Sequence, residues 1–122
     1  MSSTDYFERK LDEKRRLTIP VDLRAEFQSG YVITQGFGKY LHLYPKQVWD
    51  EVVEPSLKGN ILDQNIADLN VKFRTGKFEG SIDQKQGRLS IDKSLLDFAG
   101  IKNDVISVRA GLYWRISAKV EH

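Results

Sequence analysis

The sequence contains no cysteine, and this absence excludes several kinds of chemistry at once. Disulfides, thiolate metal sites, iron–sulfur clusters and cysteine nucleophiles all need a sulfur atom that the chain does not have. Proline, with three residues, and glycine, with nine, are too scarce for a low-complexity chain. No apolar run approaches the roughly 18 residues that cross a bilayer, and the first residues lack the basic-then-apolar pattern of a signal peptide. The sequence therefore predicts a soluble protein that is not exported.

The 122 residues suffice for one compact domain, or for two small lobes that share a core. Hydrophobic residues make up 40% of the chain and charged residues 30%, a balance typical of a folded protein. The 19 basic and 17 acidic residues leave a net charge of +2, so total charge does not identify a partner.

The chain matches itself when it is shifted by 72 residues. The segment Arg16-Leu17-Thr18-Ile19 then lies over Arg88-Leu89-Ser90-Ile91, and Leu23 lies over Leu95. Each copy follows a charged turn and a short strand pattern, and each precedes a short helical pattern and two further strand patterns. One unit of about 40 residues buries little by itself, so the repeat predicts two halves that pack as a pseudo-dimer around a shared barrel.

The stretch between the copies has a different pattern. Val48, Trp49, Val52 and Val53 recur at helical spacing, as do Leu62, Ile66, Leu69 and Phe73. We expect two linking helices there, with breaks at Pro55 and at Gly59-Asn60. The resulting division is an N-terminal half over residues 1–53, a linking helix region over 54–76 and a C-terminal half over 77–122.

Positive charge is concentrated in equivalent parts of the two copies. Residues 8–24 carry a net +2 and residues 72–93 a net +3, whereas residues 25–71 carry −3. Packing the two halves together would join these segments into one basic face, which favours a polyanion because each phosphate contact releases counterions. The candidate DNA-binding residues are Lys10, Lys14, Arg15, Arg16, Lys85 and Arg88. The alternative is that these cations lie on solvated hairpin turns without a partner.

The segment Leu11-Asp12-Glu13-Lys14-Arg15-Arg16-Leu17-Thr18-Ile19-Pro20 closely resembles the signature of the MraZ family, in the AbrB/SpoVT-like swapped-hairpin superfamily. Leu41-His42-Leu43-Tyr44-Pro45 before Trp49, and Gln86-Gly87-Arg88-Leu89-Ser90-Ile91 with Leu95 and Ala99-Gly100-Ile101, resemble further parts of the family pattern. This resemblance implies an α+β fold of two swapped-hairpin AbrB-like barrel halves with two linking helices. It also implies a bacterial DNA-binding regulator, typically a repressor of the division and cell-wall gene cluster, that forms homo-oligomeric rings on repeated promoter boxes.

The paired Asp-x-x-x-Arg motif of this family carries over unevenly. Asp12 and Arg16 match the first copy, whereas in the second copy Arg88 matches, Gln84 occupies the aspartate position and Asp83 lies one residue early. The first turn has Arg15 where the family usually has glycine, and the second copy has Asp92 where proline is common.

Two roles remain open for the motif arginines. The aspartate can hydrogen-bond the turn amides or hold the arginine ready for phosphate or guanine, with Asp12, Asp83 and Gln84 in supporting roles. Arg16 and Arg88 then contact DNA, or they brace the hairpins and leave the contacts to Lys14, Arg15 and Lys85.

The remaining polar residues do not assemble a catalytic set. No nucleophile, base and stabiliser can be combined, so we expect no enzyme, no cofactor and no metal site. His42 alternates with Leu41 and Leu43 and is expected to point outward from its strand, and Asp12, Glu13 and Asp83 are expected to be turn and salt-bridge residues. The aromatic residues expected in the core or a subunit interface are Trp49, Trp114, Phe73 and Phe98.

One function is preferred and two alternatives remain open. The preferred function is a cytoplasmic, nucleoid-associated regulator that binds double-stranded promoter repeats as a homo-oligomeric ring, without a membrane or small-molecule partner. One alternative is another AbrB-like autoregulator of the antitoxin type. The other is an oligomeric protein-interaction module that does not bind DNA.

Overall fold

A computed structural model describes residues 5–83 and 85–119 of the chain. Its strands are β1 Tyr6–Lys10, β2 Arg16–Thr18, β3 Tyr31–Gln35, β4 Leu41–Pro45, β5 Phe78–Gly80, β6 Arg88–Ser90, β7 Asp104–Ala110 and β8 Tyr113–Ala118. Its helices are a 3-10 helix over Val21–Phe27, α1 Lys46–Val48, a π-helical segment over Trp49–Val53, α2 Glu54–Ser56, α3 Gln64–Arg74 and α4 Lys93–Ala99. The α+β class predicted from the sequence is confirmed.

Two antiparallel sheets organise the strands. The six-stranded sheet has the order β1-β7-β8-β4-β3-β5, and β2 pairs with β6 alone. Strands from the beginning and the end of the chain are therefore mixed within one sheet, with β1 beside β7 and β8 beside β4. Both sheets therefore contain strands from both ends of the chain.

The main core lies between the two sheets and the short helices. Leu17 and Leu89, which face each other in the β2–β6 pair, are almost completely buried, and Leu23 and Leu95 follow them from the 3-10 helix and α4. Trp114 is fully buried in the same cluster, as the sequence predicts. The helix α4 ends at Gly100 with φ of 67°, a left-handed conformation that glycine adopts without a Cβ clash.

A second apolar cluster covers the opposite face of the large sheet. Side chains alternate across a strand, so on β3 Ile33 joins the main core while Val32 faces the linking helices. Trp49 and Phe73 from those helices are buried in this second cluster, which confirms their predicted place, and Phe98 packs half-buried on the main core. The large sheet is thus covered on both faces along β3 and β4.

Burial on both faces corrects the expectation for His42. Every residue of β4 is buried, and His42 is only 1% exposed. The alternation with Leu41 and Leu43 correctly placed His42 on the other face of the strand. That face does not point outward, because it packs against the ring of Phe73 from α3 and the ring of Tyr113 from β8.

Helices in the linking region are confirmed, but Pro55 does not end the first one. The helical segment continues from Lys46 to Ser56 and takes π spacing over Trp49–Val53, before Pro55 enters the last turn. Proline donates no backbone hydrogen bond, so a regular α-helical ladder cannot pass through it, and a π turn is one way to adjust the ladder. The break lies beyond Ser56, and Asp63 caps α3 by accepting a hydrogen bond from the Asn65 amide at 2.8 Å.

Candidate nucleic-acid interface

The first cationic turn connects β1 to β2 and is built around Asp12. One carboxylate oxygen accepts hydrogen bonds from the amides of Lys14 at 2.9 Å and Arg16 at 2.8 Å, and the other accepts from Arg16 Nε at 2.7 Å. Desolvation alone would raise the pKa of Asp12, but the hydrogen bonds from Arg16 and Lys14 outweigh it and lower the pKa below its usual value. Asp12 therefore stays ionised and fixes both the turn backbone and the Arg16 side chain.

The second cationic turn precedes β6 and is built around Asp83. Its carboxylate accepts from the amides of Lys85 at 3.1 Å, Gln86 at 2.6 Å and Arg88 at 3.1 Å, and from Arg88 Nε at 2.9 Å. The amide of Gln86 and the guanidinium of Arg88 hold the pKa of Asp83 well below its usual range. Asp83 thus braces Arg88 as Asp12 braces Arg16, across five residues instead of four. Gln84, at the position that the motif spacing gives to aspartate, lies outside the described residues, and its supporting role stays a prediction.

Both turns pass through the same unusual backbone conformation. Arg15 has φ of 60° and Gly87 has φ of 64°, each directly before the braced arginine. Arg15 is the only non-glycine residue with positive φ among residues 5–83 and 85–119. The carbonyl of Arg15 accepts from the amide of Ile91 at 3.2 Å, and the carbonyl of Gly87 accepts from the amide of Ile19 at 2.8 Å. Each turn is therefore tied to the strand that follows the other turn.

Pairing of β2 with β6 places the two turns at opposite ends of one short ribbon. Arg16 lies opposite Ser90, and Thr18 lies opposite Arg88. The two braced arginines are therefore two register positions apart, or about 7 Å along the strand direction. A basic surface formed by this ribbon combines residues that are far apart in the sequence.

The predicted cations divide into three groups by position. Lys14, Arg15 and Lys85 lie exposed on the two turns. The side chains of Arg16 and Arg88 are 28% and 29% exposed, and within the described part of the chain only their Nε atoms take part in side-chain hydrogen bonds. Lys10 lies outside the turns, at the end of β1 opposite Asp104. Each arginine is thus held by its aspartate through Nε, and its terminal nitrogens remain at the surface.

Arg24 also lies beside the second turn, although it is not part of the sequence motif. Arg24 in the 3-10 helix donates from Nε to the carbonyl of Ile19 at 2.9 Å, and its side chain lies directly over Gly87 of the second turn. A Cβ atom at Gly87 would come within 2.1 Å of Arg24 Nε. Arg24 and Gly87 belong to different copies of the repeat, so their contact follows only once the pairing of β2 with β6 is known.

The second polar feature is an aromatic enclosure around His42. Nδ1 of His42 and the hydroxyl of Tyr44 are hydrogen-bonded at 2.9 Å, whereas Nε2 has no partner within the described residues. Burial, and then the positive charges of Arg115 and Lys72, lower the pKa of His42 to about 4. The imidazole is therefore neutral at physiological pH.

An apolar cavity of about 340 Å³ lies beside this enclosure. Its walls come from β4, the linking helices and the β7–β8 turn. Phe37 and Leu112 at its rim are 58% and 59% exposed, and Val52 is 44% exposed. Exposed apolar groups clustered in this way are typical of a surface that binds a partner.

Metal and membrane features can be assessed over residues 5–83 and 85–119. No group of three or more histidine, aspartate or glutamate side chains there could hold a metal ion. Within the same residues, no helix combines the length and the apolar character needed to cross a membrane.

Antiparallel sheets with two braced hairpin turns place the chain in the α+β class and are consistent with an AbrB-like fold. The MraZ protein family, described as antitoxin-like, has a family model that matches residues 4–65. Proteins named transcriptional regulator MraZ from Clostridium tetani and Roseiflexus sp. are 35% identical over 99 residues and 30% identical over 112 residues. These alignments cover 80% and 92% of this chain, and 68% and 78% of those proteins. The chain belongs to the MraZ family, whose members are transcriptional regulators and not enzymes.

Proposed function

We propose that this chain is a sequence-specific, DNA-binding transcriptional regulator and that the two cationic turns contact the DNA. The observation that carries the proposal is the same arrangement at both ends of the β2–β6 ribbon. In each turn an ionised aspartate fixes the backbone and holds an arginine through its Nε atom. The exposed Lys14, Arg15 and Lys85 add positive charge around these fixed groups.

A braced guanidinium suits DNA recognition for a physical reason. Holding Nε orients the planar group before binding, so less side-chain entropy is lost when the terminal nitrogens meet a phosphate or the guanine edge. Lysines on the turn act as point charges for phosphates, and neutralising several phosphates makes the affinity depend strongly on salt. Lys10 takes part at the edge of the surface, at the end of β1.

The repeat supports a two-half arrangement of this surface. We infer that residues 1–53 and 77–122 are AbrB/SpoVT-like halves joined by the linking region 54–76, with a pseudo-two-fold axis near Leu17 and Leu89. These two residues lie opposite each other in the ribbon, and they are also equivalent under the shift of 72 residues. The exchanged hydrogen bonds of Arg15 with Ile91 and of Gly87 with Ile19 follow the same symmetry.

The regulator acts as a homo-oligomer, in our proposal a ring that occupies promoter repeats and blocks transcription sterically. The family resemblance implies this assembly, and the exposed apolar groups around the cavity supply a surface for contact between copies. Weak contacts from each copy then add through effective concentration when the repeats match the spacing of the subunits. The proposed target is a division and cell-wall gene cluster that includes the protein's own gene, in the cytoplasm at the nucleoid.

Fluorescence anisotropy tests the DNA-binding proposal. The purified protein is titrated with duplex DNA from upstream of its own gene and with scrambled duplex, at several salt concentrations. We expect tighter binding to the upstream DNA, a steep loss of affinity with salt, and a loss of at least tenfold in a variant that combines Arg16→Ala and Arg88→Ala. Lys58→Gln is the matched control, because Lys58 lies exposed on the linking region and its loss removes one charge away from the turns. Equal binding of the double variant and the control would contradict the proposal.

An autoregulator of the antitoxin type is the second candidate, because the matching family is described as antitoxin-like. Such a protein binds DNA with the same turns but also binds a protein encoded beside it. Co-purification with the neighbouring gene product distinguishes this candidate from a regulator that acts by itself. An interaction module that does not bind DNA would keep its function after charge reversal at Arg15 and Arg16.

A further inference from the structure

The two cationic turns differ at one position, and this difference is informative. The residue before the braced arginine must adopt a left-handed conformation in both turns, and the second turn meets this requirement with Gly87. The first turn uses Arg15, although a residue with a Cβ is strained in that region of φ. Strain at an exposed position that glycine would relieve suggests that the side chain itself is needed.

Gly87 leaves the second turn without a side chain at this position, and Arg24 occupies the space. Arg24 approaches from the 3-10 helix of the other half and lies where a Cβ of residue 87 would be. Its Nε is held by the carbonyl of Ile19, as the Nε atoms of Arg16 and Arg88 are held by their aspartates. No hydrogen bond of its terminal nitrogens is present within the described residues, and a small recess of about 150 Å³ lies between Arg24, Gln28 and Asp83.

The corresponding position in the C-terminal copy shows that this arrangement is one-sided. A shift of 72 residues takes Arg24 to Leu96, which is 4% exposed and belongs to the main core. The first turn therefore receives no arginine from α4 and carries its own at Arg15. Each turn thus has a lysine, a braced arginine and one further arginine beside it. The further arginine is Arg15 of the turn itself in the first case and Arg24 of the 3-10 helix in the second.

We propose that Arg24 contacts DNA as the third cation of the second turn, the role that Arg15 has in the first, so that the two turns recognise non-identical half-sites. This proposal rests on the DNA-binding function proposed above. Arg15 extends from the tip of its turn, whereas Arg24 lies across the backbone of Gly87. The two guanidinium groups therefore reach the proposed surface from different elements of the fold.

Selection and binding experiments on the full chain test the proposal. The wild-type protein first selects its preferred sequence from a random duplex library, and anisotropy then measures the affinity and salt dependence of the variants on that sequence. Arg24→Gln keeps a donor for the Ile19 carbonyl but removes the charge, and Arg24→Lys keeps the charge but loses the planar group. We expect a loss of roughly tenfold and a salt slope smaller by about 1 for Arg24→Gln, with partial recovery in Arg24→Lys. When the selection is repeated with Arg24→Gln and with Arg15→Gly, the two variants should lose base preference at different positions of the DNA sequence.

A second measurement on the wild-type protein needs no variant. Phenylglyoxal modifies accessible arginines, and mass spectrometry locates the modified residues with and without the selected duplex. We expect DNA to protect Arg24 and Arg15.

Thermal unfolding of each variant shows whether a change in binding reflects a loss of fold.

The outcomes separate this inference from the function on which it rests. If the wild-type protein binds no DNA in a salt-dependent way, the proposed function is wrong and the inference with it. If the Arg16→Ala and Arg88→Ala variant loses binding while Arg24→Gln binds like Lys58→Gln and Arg24 stays unprotected, only the inference is overturned. Relaxation at the same positions in Arg15→Gly and Arg24→Gln would overturn the non-identical half-sites.

Discussion

Individual side chains, more than their spacing in the sequence, define the two cationic turns. Asp12 reaches Arg16 across four residues and Asp83 reaches Arg88 across five, yet both carboxylates bond the arginine amide and Nε. A carboxylate can accept several hydrogen bonds from neighbouring amides, so a turn with one extra residue still satisfies it. A motif defined by fixed spacing therefore places Gln84 where the second aspartate should be. In the structure it is Asp83 that holds Arg88.

Replacement of Arg15 by glycine should stabilise the fold. The left-handed conformation at φ of 60° strains a residue with a Cβ, and its removal should raise the free energy of unfolding by about 1 kcal/mol. Urea unfolding measures this change. Arg15→Ala is the matched control, because it removes the charge and keeps the Cβ. An equal gain in both variants would mean that relief of charge repulsion, and not backbone strain, is the cause.

His42 should make stability depend on pH between about 6.5 and about 4. Burial lowers the pKa of His42 to about 4 in the folded chain, while the unfolded chain has a pKa near 6.5. Between these values the unfolded state binds more protons, so stability is present at higher pH and is lost as pH falls, by up to about 3 kcal/mol.

Thermal unfolding from pH 7 to pH 4.5 measures the effect of His42. The control is His42→Phe, which keeps a ring in the aromatic enclosure and cannot titrate. We expect the variant to lose less stability than the wild-type protein over this range. Parallel curves for the two proteins would assign the pH dependence to other groups.

At the scale of elements, local patterns predict what is local. Strand patterns on either side of glycine-containing turns indicate β3 with β4 and β7 with β8. Helical spacing indicates the linking helices, and Gly100 indicates the end of α4. These features depend on neighbours within a few residues, which the sequence displays directly.

Features that depend on distant partners were not predictable in this way. The burial of His42 depends on Phe73 and Tyr113, and the place of Arg24 depends on Gly87. Pro55 predicted a helix end because proline has no amide hydrogen to donate. The helical segment instead continues past Pro55 after a π turn over Trp49–Val53, and Trp49 of that turn packs in the second cluster. The sequence predicted one basic face from the two charged segments, but it did not predict that Arg24 lies over Gly87 beside the second turn.

The helix α4 offers a test of capping. Asp92 accepts a hydrogen bond from the Ser94 amide at 3.2 Å, and bonds from Ser94 lower the pKa of Asp92 and keep it ionised. Asp92→Ala should lower the free energy of unfolding by about 1 kcal/mol. Asp92→Pro should cost less, since the backbone at φ of −62° already suits proline and proline restricts the unfolded chain. Chemical denaturation ranks the three proteins, and a proline variant less stable than the alanine variant would contradict this reasoning.

At the scale of the molecule, the two halves are interleaved. β1 pairs with β7, β4 with β8 and β3 with β5, so each half of the chain completes the sheet of the other. The β2–β6 ribbon also joins the two halves, and the hydrogen bonds of Arg15 with Ile91 and of Gly87 with Ile19 tie both turns to it. The second face of the sheet, with its linking helices and apolar cavity, lies away from the main core.

Assembly through this second face is the prediction for the whole molecule. Phe37 and Leu112 are exposed at the cavity rim, and each should lose apolar contact with a second copy when it is replaced by aspartate. Light scattering after size-exclusion chromatography should show an oligomer for the wild-type protein and a smaller species for Phe37→Asp and Leu112→Asp. Ile61→Asp is the matched control, because Ile61 is 78% exposed on the linking region and does not line the cavity.

The same variants connect assembly to DNA binding. If avidity carries the affinity, the smaller species should keep its contact with a single promoter box but lose the extra affinity for an array of boxes. Phe37 also packs on the rings of His42 and Phe73, so a loss of fold in Phe37→Asp is separated from a loss of assembly by Leu112→Asp. A wild-type protein that is monomeric at all concentrations would show that the copies do not associate. An unchanged oligomer mass in both variants would show that the copies associate through another surface. Equal affinity for one box and for an array would mean that each chain binds its site independently.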